Sequence, residues 1–322
     1  MYLCCYIKNK MDPAEELKNN SKKFNKMVIW GLKTKWHTHR FVFQAYYKVF
    51  KKYGIPVVWV DDDKKYQNVI EKGDLVFTAG GMHGKMVPEK KSLADYNVPI
   101  RNDVYYCLHA EPSFFTEKID LNKSIKLRFY ENEAEKYTKL YEAVHFDENT
   151  RTLYQAWGTN LLSEEFKKPT FNNNCFMFWV GSIWNDKNNH GNIEEIGKLK
   201  TALSKHKLKF IKTRFVPNFM NTLLIRLSRI APAIGGKRQV EVNYLPDRMF
   251  KNISYGQLGF SNIKKFNDIF KNCNIYDENM EIMVDRVLSL NKNEYLEMIK
   301  KQQEICKKYT TLDHLNNILK CL

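Results

Sequence analysis

Short, almost wholly apolar runs punctuate the first 110 residues: KMVIWGL at 26–32, VVWVDD at 57–62, DLVFTAGG at 74–81 and DVYYCLHA at 103–110. Runs of this length and character are what strands buried on both faces require. From about Thr38 to Tyr53 the apolar residues recur at helical spacing, Gly54 ends that pattern, and a shorter polar helix is expected over Lys64–Glu71. Strand, helix, strand at these lengths implies parallel strands under crossover helices. A chain so patterned folds as an α/β domain.

The cycle restarts further on. SIKLRFY (124–130) and TLYQAWG (152–158) read as strands that complete the first sheet. From Ser163 to Asn174 the chain turns charged and then polar, with Pro169 and three successive Asn, a composition suited to a linker. CFMFWVGSIW (175–184) then reads as a strand, followed by a helix over Ile193–His206, the strand KFIKTRF (209–215) and a helix over Asn218–Ile230. A strand in QVEVNYL (239–245), a helix over Asn262–Cys273, a strand in CNIYD and helices broken near Asn291 and Thr310 complete the pattern. At 322 residues, two domains of about 150 residues are the natural division. The expected plan is an N-terminal extension (1–25), a Rossmann-like domain (26–165), a linker (166–174), a second Rossmann-like domain (175–290) and C-terminal helices (291–322) that can pack back on the first domain.

Composition narrows the chemistry. Hydrophobic residues at 43% and aromatics at 14% supply packed cores and exclude a disordered chain. A net charge of +16 points to an anionic partner, whether nucleic acid, a phosphorylated ligand or an acidic surface. Seven cysteines without CxxC spacing read as reduced thiols, which suits a cytoplasmic setting. The start MYLCCYIKNK is too short for a signal h-region, and no run approaches the ~20 apolar residues of a transmembrane segment.

Several stretches could carry chemistry. AGGMHGKM (79–86) nearly spells a phosphate-binding loop, but Ala79 replaces its first Gly and Met86 its metal-binding hydroxyl. As a glycine turn after a strand, it still places His83 at the edge where α/β folds bind ligands. Asp61, Asp62 and Asp63 suit either a metal-bridging DxD or a helix N-cap, and a dinucleotide reading lacks the GxGxxG partner. His37 and His39 lie after the first strand, where either imidazole can take a proton, cap a helix or hydrogen-bond in the core; metal lacks further ligands at suitable spacing. His109, in LHAEP, admits the same readings. In the second half, Ser182, Trp184, Asn185, Arg214, Lys237, Arg238 and Gln239 converge on one strand-end edge with Arg248 and Lys251. If 249–255 opens a helix, its N–H groups attract phosphate, Arg248 adds a planar fork, and Ser254 and Tyr255 add hydroxyl donors. The alternative is a helix start with solvated cations.

IWGLKTKWHTHRFVFQAYY (29–47) and APAIGGKRQVEVNYLPDRMFKNISYGQLGFSN (231–262), set in this two-half plan, resemble glycosyltransferases of the GT-B fold, among them sugar transferases of large DNA viruses and bacterial polysaccharide loci. The resemblance implies two Rossmann-like doubly wound domains facing a cleft, with the nucleotide sugar held by the C-terminal domain and the acceptor by the N-terminal one. It implies no cofactor and no bound metal, since basic side chains neutralise the diphosphate, and it sets the DxD reading aside. Many relatives carry a ribose-binding Glu where Lys251 stands; Glu241 is then the acid left to contact sugar or ribose.

The function expected is transfer of a hexosyl or pentosyl group from a UDP- or GDP-linked donor to a glycan or other hydroxyl acceptor. Lys237, Gln239, Asn243, Arg248, Lys251, Asn252, Ser254 and Tyr255 would hold the donor, and His37 or His39, ahead of His83 and His109, would be the base of an inverting reaction. Two rivals carry distinct signatures. A basic nucleic-acid-binding protein would lose affinity steeply with salt, but the cations are spread over the chain and no recognised module is present, so nucleic acid is not the expected partner. An NAD-dependent nucleotide-sugar-modifying enzyme would need a glycine fingerprint that the chain lacks.

Overall fold

A computed structural model describes residues 11–35, 38–79, 97–109, 119–128, 144–185, 188, 191–214 and 216–322. The chain is mixed α/β with largely parallel strands, as its pattern implies, and divides into two compact units. The first holds the residues up to Ile125 together with Leu312–Leu322, and the second runs from Lys126 to Thr311. The stretch expected as a linker lies within the second, where Lys167 N donates to the Ser254 carbonyl and Thr170 N to that of Gly256.

The first unit opens on helix α1 (Pro13–Ser21), where a bare polar extension was expected. Asp12 accepts from Ala14 N at its start, Pro13 occupies the first turn and Leu17 is buried, so three local signals act together. Strand β1 (Met27–Trp30), helix α2 (Thr38–Lys52), strand β2 (Val57–Val60), a 3₁₀ turn (Lys64–Val69) and strands β3 (Leu75–Thr78) and β4 (Tyr105–Leu108) follow. These strands are all parallel in the order β2-β1-β3-β4, with Met27 opposite both Val57 and Leu75, and Leu75 opposite Tyr105. Every residue of β1 and β3 is buried, which is why both read as unbroken apolar runs. Val28, Trp30, Val76 and Tyr106 form one face of the core, and Phe43, Tyr46 and Phe50 of α2 are buried with Phe77. Each such side chain contributes about 1.5–3 kcal/mol through burial.

Strand β5 (Ser124–Arg128) runs through the division at Ile125. In the second unit it pairs in parallel with β7 (Thr152–Gln155), and β6 (Val144–Asp147) adds antiparallel to β7 across a turn capped by Asp147, which accepts from Asn149 N and Thr150 Oγ1. Then come β8 (Phe176–Val180), α3 (Ile193–Lys205), β9 (Lys209–Thr213), α4 (Asn218–Leu227), β10 (Ala231–Pro232), α5 (Lys237–Glu241), α6 (Asp247–Ser254) and β11 (Gly259–Phe260). Beyond them lie α7 (Phe266–Phe270), α8 (Met280–Ser289) and α9 (Lys292–Cys306), and α10 (Thr311–Lys320) then belongs, all but its first residue, to the first unit. β8 is parallel to β9 and β10 to β11. The chain entering β10 lies along β8: Arg229 N donates to the Phe176 carbonyl, and Phe178 N to Ser228 Oγ.

Three expectations fail for local reasons. QVEVNYL is helical at its start, because Gln239 Oε1 accepts from Gly236 N and turns the chain into α5, after which Asn243 takes a left-handed φ of 52°. CNIYD is irregular, with Gln302 Nε2 satisfying the Cys273 carbonyl that a strand neighbour would have taken. The helix expected over Asn262–Cys273 shrinks to α7 because Asn262 spends its amide on Gly235 and Lys271 adopts φ 48°. The C-terminal helices break where expected; Asn291 caps α9 reciprocally with Glu294.

Gly256 ends α6 at φ +86°, and a Cβ there would overlap the Lys168 carbonyl and lie 2.6 Å from Arg226 Nη1. Gly54 has a similar φ of +70° but open space around it. Gly256→Ala is therefore expected to cost at least about 2 kcal/mol, against about 1 kcal/mol for Gly54→Ala, as measured by urea denaturation. Equal losses would refute the close approach at Gly256.

Candidate functional site

The carboxyl ends of parallel strands are where α/β folds place ligands, and in the second unit that edge gathers several of the expected residues. Gly181 and Ser182 follow β8, Arg214 follows β9, Gly235, Gly236 and Lys237 follow β10, and Ser261 and Asn262 follow β11. The loops are fastened to each other. Asn262 brackets Gly235, its Oδ1 accepting from the Gly235 N–H at 2.8 Å and its Nδ2 donating to the carbonyl at 3.0 Å. Ser261 Oγ donates to the Ala233 carbonyl at 2.6 Å. Asn192 closes the loop after β8: its Oδ1 accepts from Trp184 N at 3.0 Å and its Nδ2 donates to the Ser182 carbonyl at 3.3 Å. A Cβ on Gly236 would strike the Gly191 carbonyl, so this glycine lets the loops after β8 and β10 touch backbone to backbone, while Gly191 lets its own loop close on Trp184.

Arg248 reaches this edge from the first turn of α6. Its guanidinium stacks on the Trp179 ring at 3.9 Å from the centroid, and Nη1 donates to the Val180 carbonyl at 2.6 Å. Nη2 lies against the Cα of Gly181, whose φ of +143° and missing Cβ make room for it. Among the described residues no carboxylate lies within ion-pair distance of Arg248. Burial lowers its pKa to about 10, partly offset by Asp247, so it is a cation at neutral pH.

The rest of the expected cradle is arranged otherwise. α6 starts at Asp247 rather than 249, and that carboxylate occupies its first turn and pairs with Lys251. Burial alone would raise the Asp247 pKa, but Lys251 and Arg248 outweigh it and hold it below the usual carboxylate range. This helix end thus carries its own anion. Asn252, Ser254 and Tyr255 are buried and face inward: Asn252 Nδ2 donates to the Ala231 carbonyl, Ser254 Oγ meets Thr159 Oγ1 at 2.6 Å, and Tyr255 OH donates to Asn160 Oδ1 at 2.8 Å. These three side chains bond within the second unit. Asn185 Oδ1 accepts from Gly191 N at 3.1 Å; Asn185, Arg214, Lys237 and Glu241 are exposed, and Gln239 and Asn243 are half-buried. Sequence reasoning missed Trp179, Gly181, Gly191, Asn192 and Asn262 as parts of this edge; a glycine directly after an apolar strand was the available signal for the second of them.

In the first unit, His37 and His83 lie outside the described residues. His39 and His109 meet, their rings edge to face with centroids 5.4 Å apart, and Phe43 and Tyr46 pack around His109. Burial, then His39 and His314, holds His109 well below its ordinary pKa of 6.5. A group whose pKa falls on folding stabilises the fold fully above its unfolded value and loses that contribution as pH falls toward the folded one. Stability is therefore expected to drop below about pH 6.5, by up to about 1.4 kcal/mol per pH unit, and the drop should flatten in His109→Gln. Thermal melts from pH 7.5 to 5 check this; equal slopes in both proteins would refute it.

The Asp triplet closes β2. Asp61 accepts from the N–H groups of Lys33 and Thr34 and from Thr34 Oγ1, Asp62 pairs with Lys35, and Asp63 caps the 3₁₀ turn by accepting from Lys65 N. They line an open polar pocket of about 480 Å³ with Tyr66 and Asn97. Among the described residues no group of three or more His, Cys, Asp or Glu side chains is arranged to hold a metal ion.

No protein-family model and no curated protein sequence matches the chain. Among solved structures it is similar to an apo structure of OtsA, at 9% identity and a TM-score of 0.43 over 79% of this chain and 73% of that one. It is similar too to trehalose-6-phosphate synthase, from work on enzymatic glycosyltransfer with retention, at 10% identity and a TM-score of 0.46 over 89% of this chain and 80% of that one.

Proposed function

We propose that the chain is a glycosyltransferase that moves a sugar from a UDP- or GDP-linked donor to a glycan or other hydroxyl acceptor, with the donor diphosphate seated at the strand ends of the second unit. The observation that supports this is Arg248: a stacked guanidinium with no carboxylate in ion-pair range among the described residues, at the ligand-binding edge of parallel strands. Asp247 offsets only part of the cost of burying this guanidinium, and an arriving anion relieves more of it.

The reaction breaks the bond between the anomeric carbon and the β-phosphate oxygen, forms one to the acceptor oxygen and releases the acceptor proton. Negative charge grows on the departing diphosphate, and a preorganised guanidinium stabilises it more in the transition state than before. Arg248 then supplies the charge that a divalent ion supplies in metal-dependent transfer, with Lys237 and Arg214 exposed on the same strand-end edge. A histidine of the first unit, His37 or His39 ahead of His83 and His109, is the proposed base if the reaction inverts.

Thermal stabilisation by UDP, GDP, CMP and their sugars, with and without EDTA, tests this reading. One nucleoside diphosphate is expected to raise the melting temperature equally with and without chelator. Indifference to every nucleotide would overturn the proposal, and a response abolished by EDTA would overturn its metal independence.

A further inference from the structure

Helix α4 turns an apolar face to solvent. Phe219, Leu223 and Leu227 recur every four residues with Met220 beside them, so all four fall within an arc of about 100°. Phe219 is 72% exposed, Leu223 48%, Leu227 39% and Met220 37%. The opposite face holds the helix to its unit through Ile225, buried beside Ala231 and Tyr255, while Arg226, at the edge of the stripe, donates from Nη1 to the carbonyls of Lys168 and Tyr255. An outward apolar stripe on a fixed helix needs a partner to cover it.

Charge identifies that partner. Residues 196 to 240 contain eleven Lys and Arg and no Asp or Glu, and α4 lies inside this stretch. Arg214 is exposed shortly before the helix; Lys167 and Lys168 are exposed beside its C-terminal half, where the Lys168 carbonyl meets Arg226. A ten-residue helix cannot span a bilayer, but an apolar stripe with exposed cations near its two ends fits one lying in the interface of an anionic membrane. We propose that α4 is a membrane-surface anchor that inserts Phe219, Met220, Leu223 and Leu227 among lipid chains while Arg214, Lys167 and Lys168 meet anionic headgroups. This rests on the surface of the second unit and not on the proposed reaction.

Flotation with phosphatidylcholine vesicles, and with vesicles containing phosphatidylserine, tests it on the full chain. Binding is expected only with the anionic lipid, weakened by salt, and reduced at least about tenfold in Phe219→Ser/Leu223→Ser. Lys167→Glu/Lys168→Glu should also reduce it, with the apolar stripe intact. Both variants change exposed positions, and unaltered melts would show that they fold. Failure to bind anionic vesicles overturns the proposal, as does binding indifferent to the apolar variant. A dimer in light scattering that the Phe219→Ser/Leu223→Ser variant dissolves would instead assign the stripe to a second copy.

Discussion

Gln302→Leu is expected to lower the unfolding free energy by about 3–5 kcal/mol, read as an earlier urea midpoint at an unchanged slope. Gln302 is fully buried on α9 and serves three backbone groups: Oε1 accepts from Gly259 N at 3.0 Å, while Nε2 donates to the carbonyls of Gly259 and Cys273, each at 2.7 Å. Its amide stands where a neighbouring strand would stand, which lets β11 be only two residues long without orphaning its peptide groups. Leucine keeps most of the volume and offers no hydrogen bond, so the loss reports unsatisfied buried groups rather than a cavity. Tyr295→Phe is the milder companion, expected to cost about 1 kcal/mol because it removes one hydroxyl bond to Gln257 Oε1. A loss below that for Gln302→Leu would mean water reaches Gly259 and the strand end is open.

How much of this was legible in the sequence depends on whether hydrophobic period or side-chain geometry decides an element. β1, β3 and β8 were readable because apolar runs bounded by polar residues have few other uses, and the breaks ahead of α9 and α10 because Asn291 and the polar Thr310–Thr311 pair interrupt long periodic stretches. β10 and β11, two residues each, leave no period to read. QVEVNYL alternates convincingly, yet one side-chain hydrogen bond from Gly236 N to Gln239 overrides that weak preference. At the candidate site, the convergence of strand-end loops followed from topology alone, whereas the fate of each cation did not. Lys251 and Arg248 stand three residues apart in similar surroundings by sequence. One meets Asp247 on its own helix, and the other is carried to Trp179 and Gly181, some seventy positions away in the chain. Only the fold distinguishes a charge paired on its own helix from one that is not.

That distinction gives the functional variant with the largest expected effect. Arg248→Ala should weaken UDP or GDP binding by about 30- to 1000-fold in calorimetry, the range that follows from removing one partner of a desolvated charge pair. Arg248→Lys keeps the charge but loses the planar fork and the stack on Trp179, so it should recover only part of the affinity. Folding should survive both changes, since Asp247 keeps its ion pair with Lys251 and the burial cost removed with the guanidinium offsets the lost bond to the Val180 carbonyl. Gly181→Ala provides the geometric test. Its new Cβ would overlap Arg248 Nη2, and φ +143° disfavours any side chain, so the guanidinium must leave its seat although its charge remains. Gly181→Ala alone should approach the affinity loss of Arg248→Ala, while in the Arg248→Ala background it should cost little more affinity, because there is no guanidinium left to displace. Strict additivity would mean that Gly181 and Arg248 act on the ligand separately. Unchanged nucleotide affinity in a folded Arg248→Ala protein would remove the diphosphate from this edge altogether.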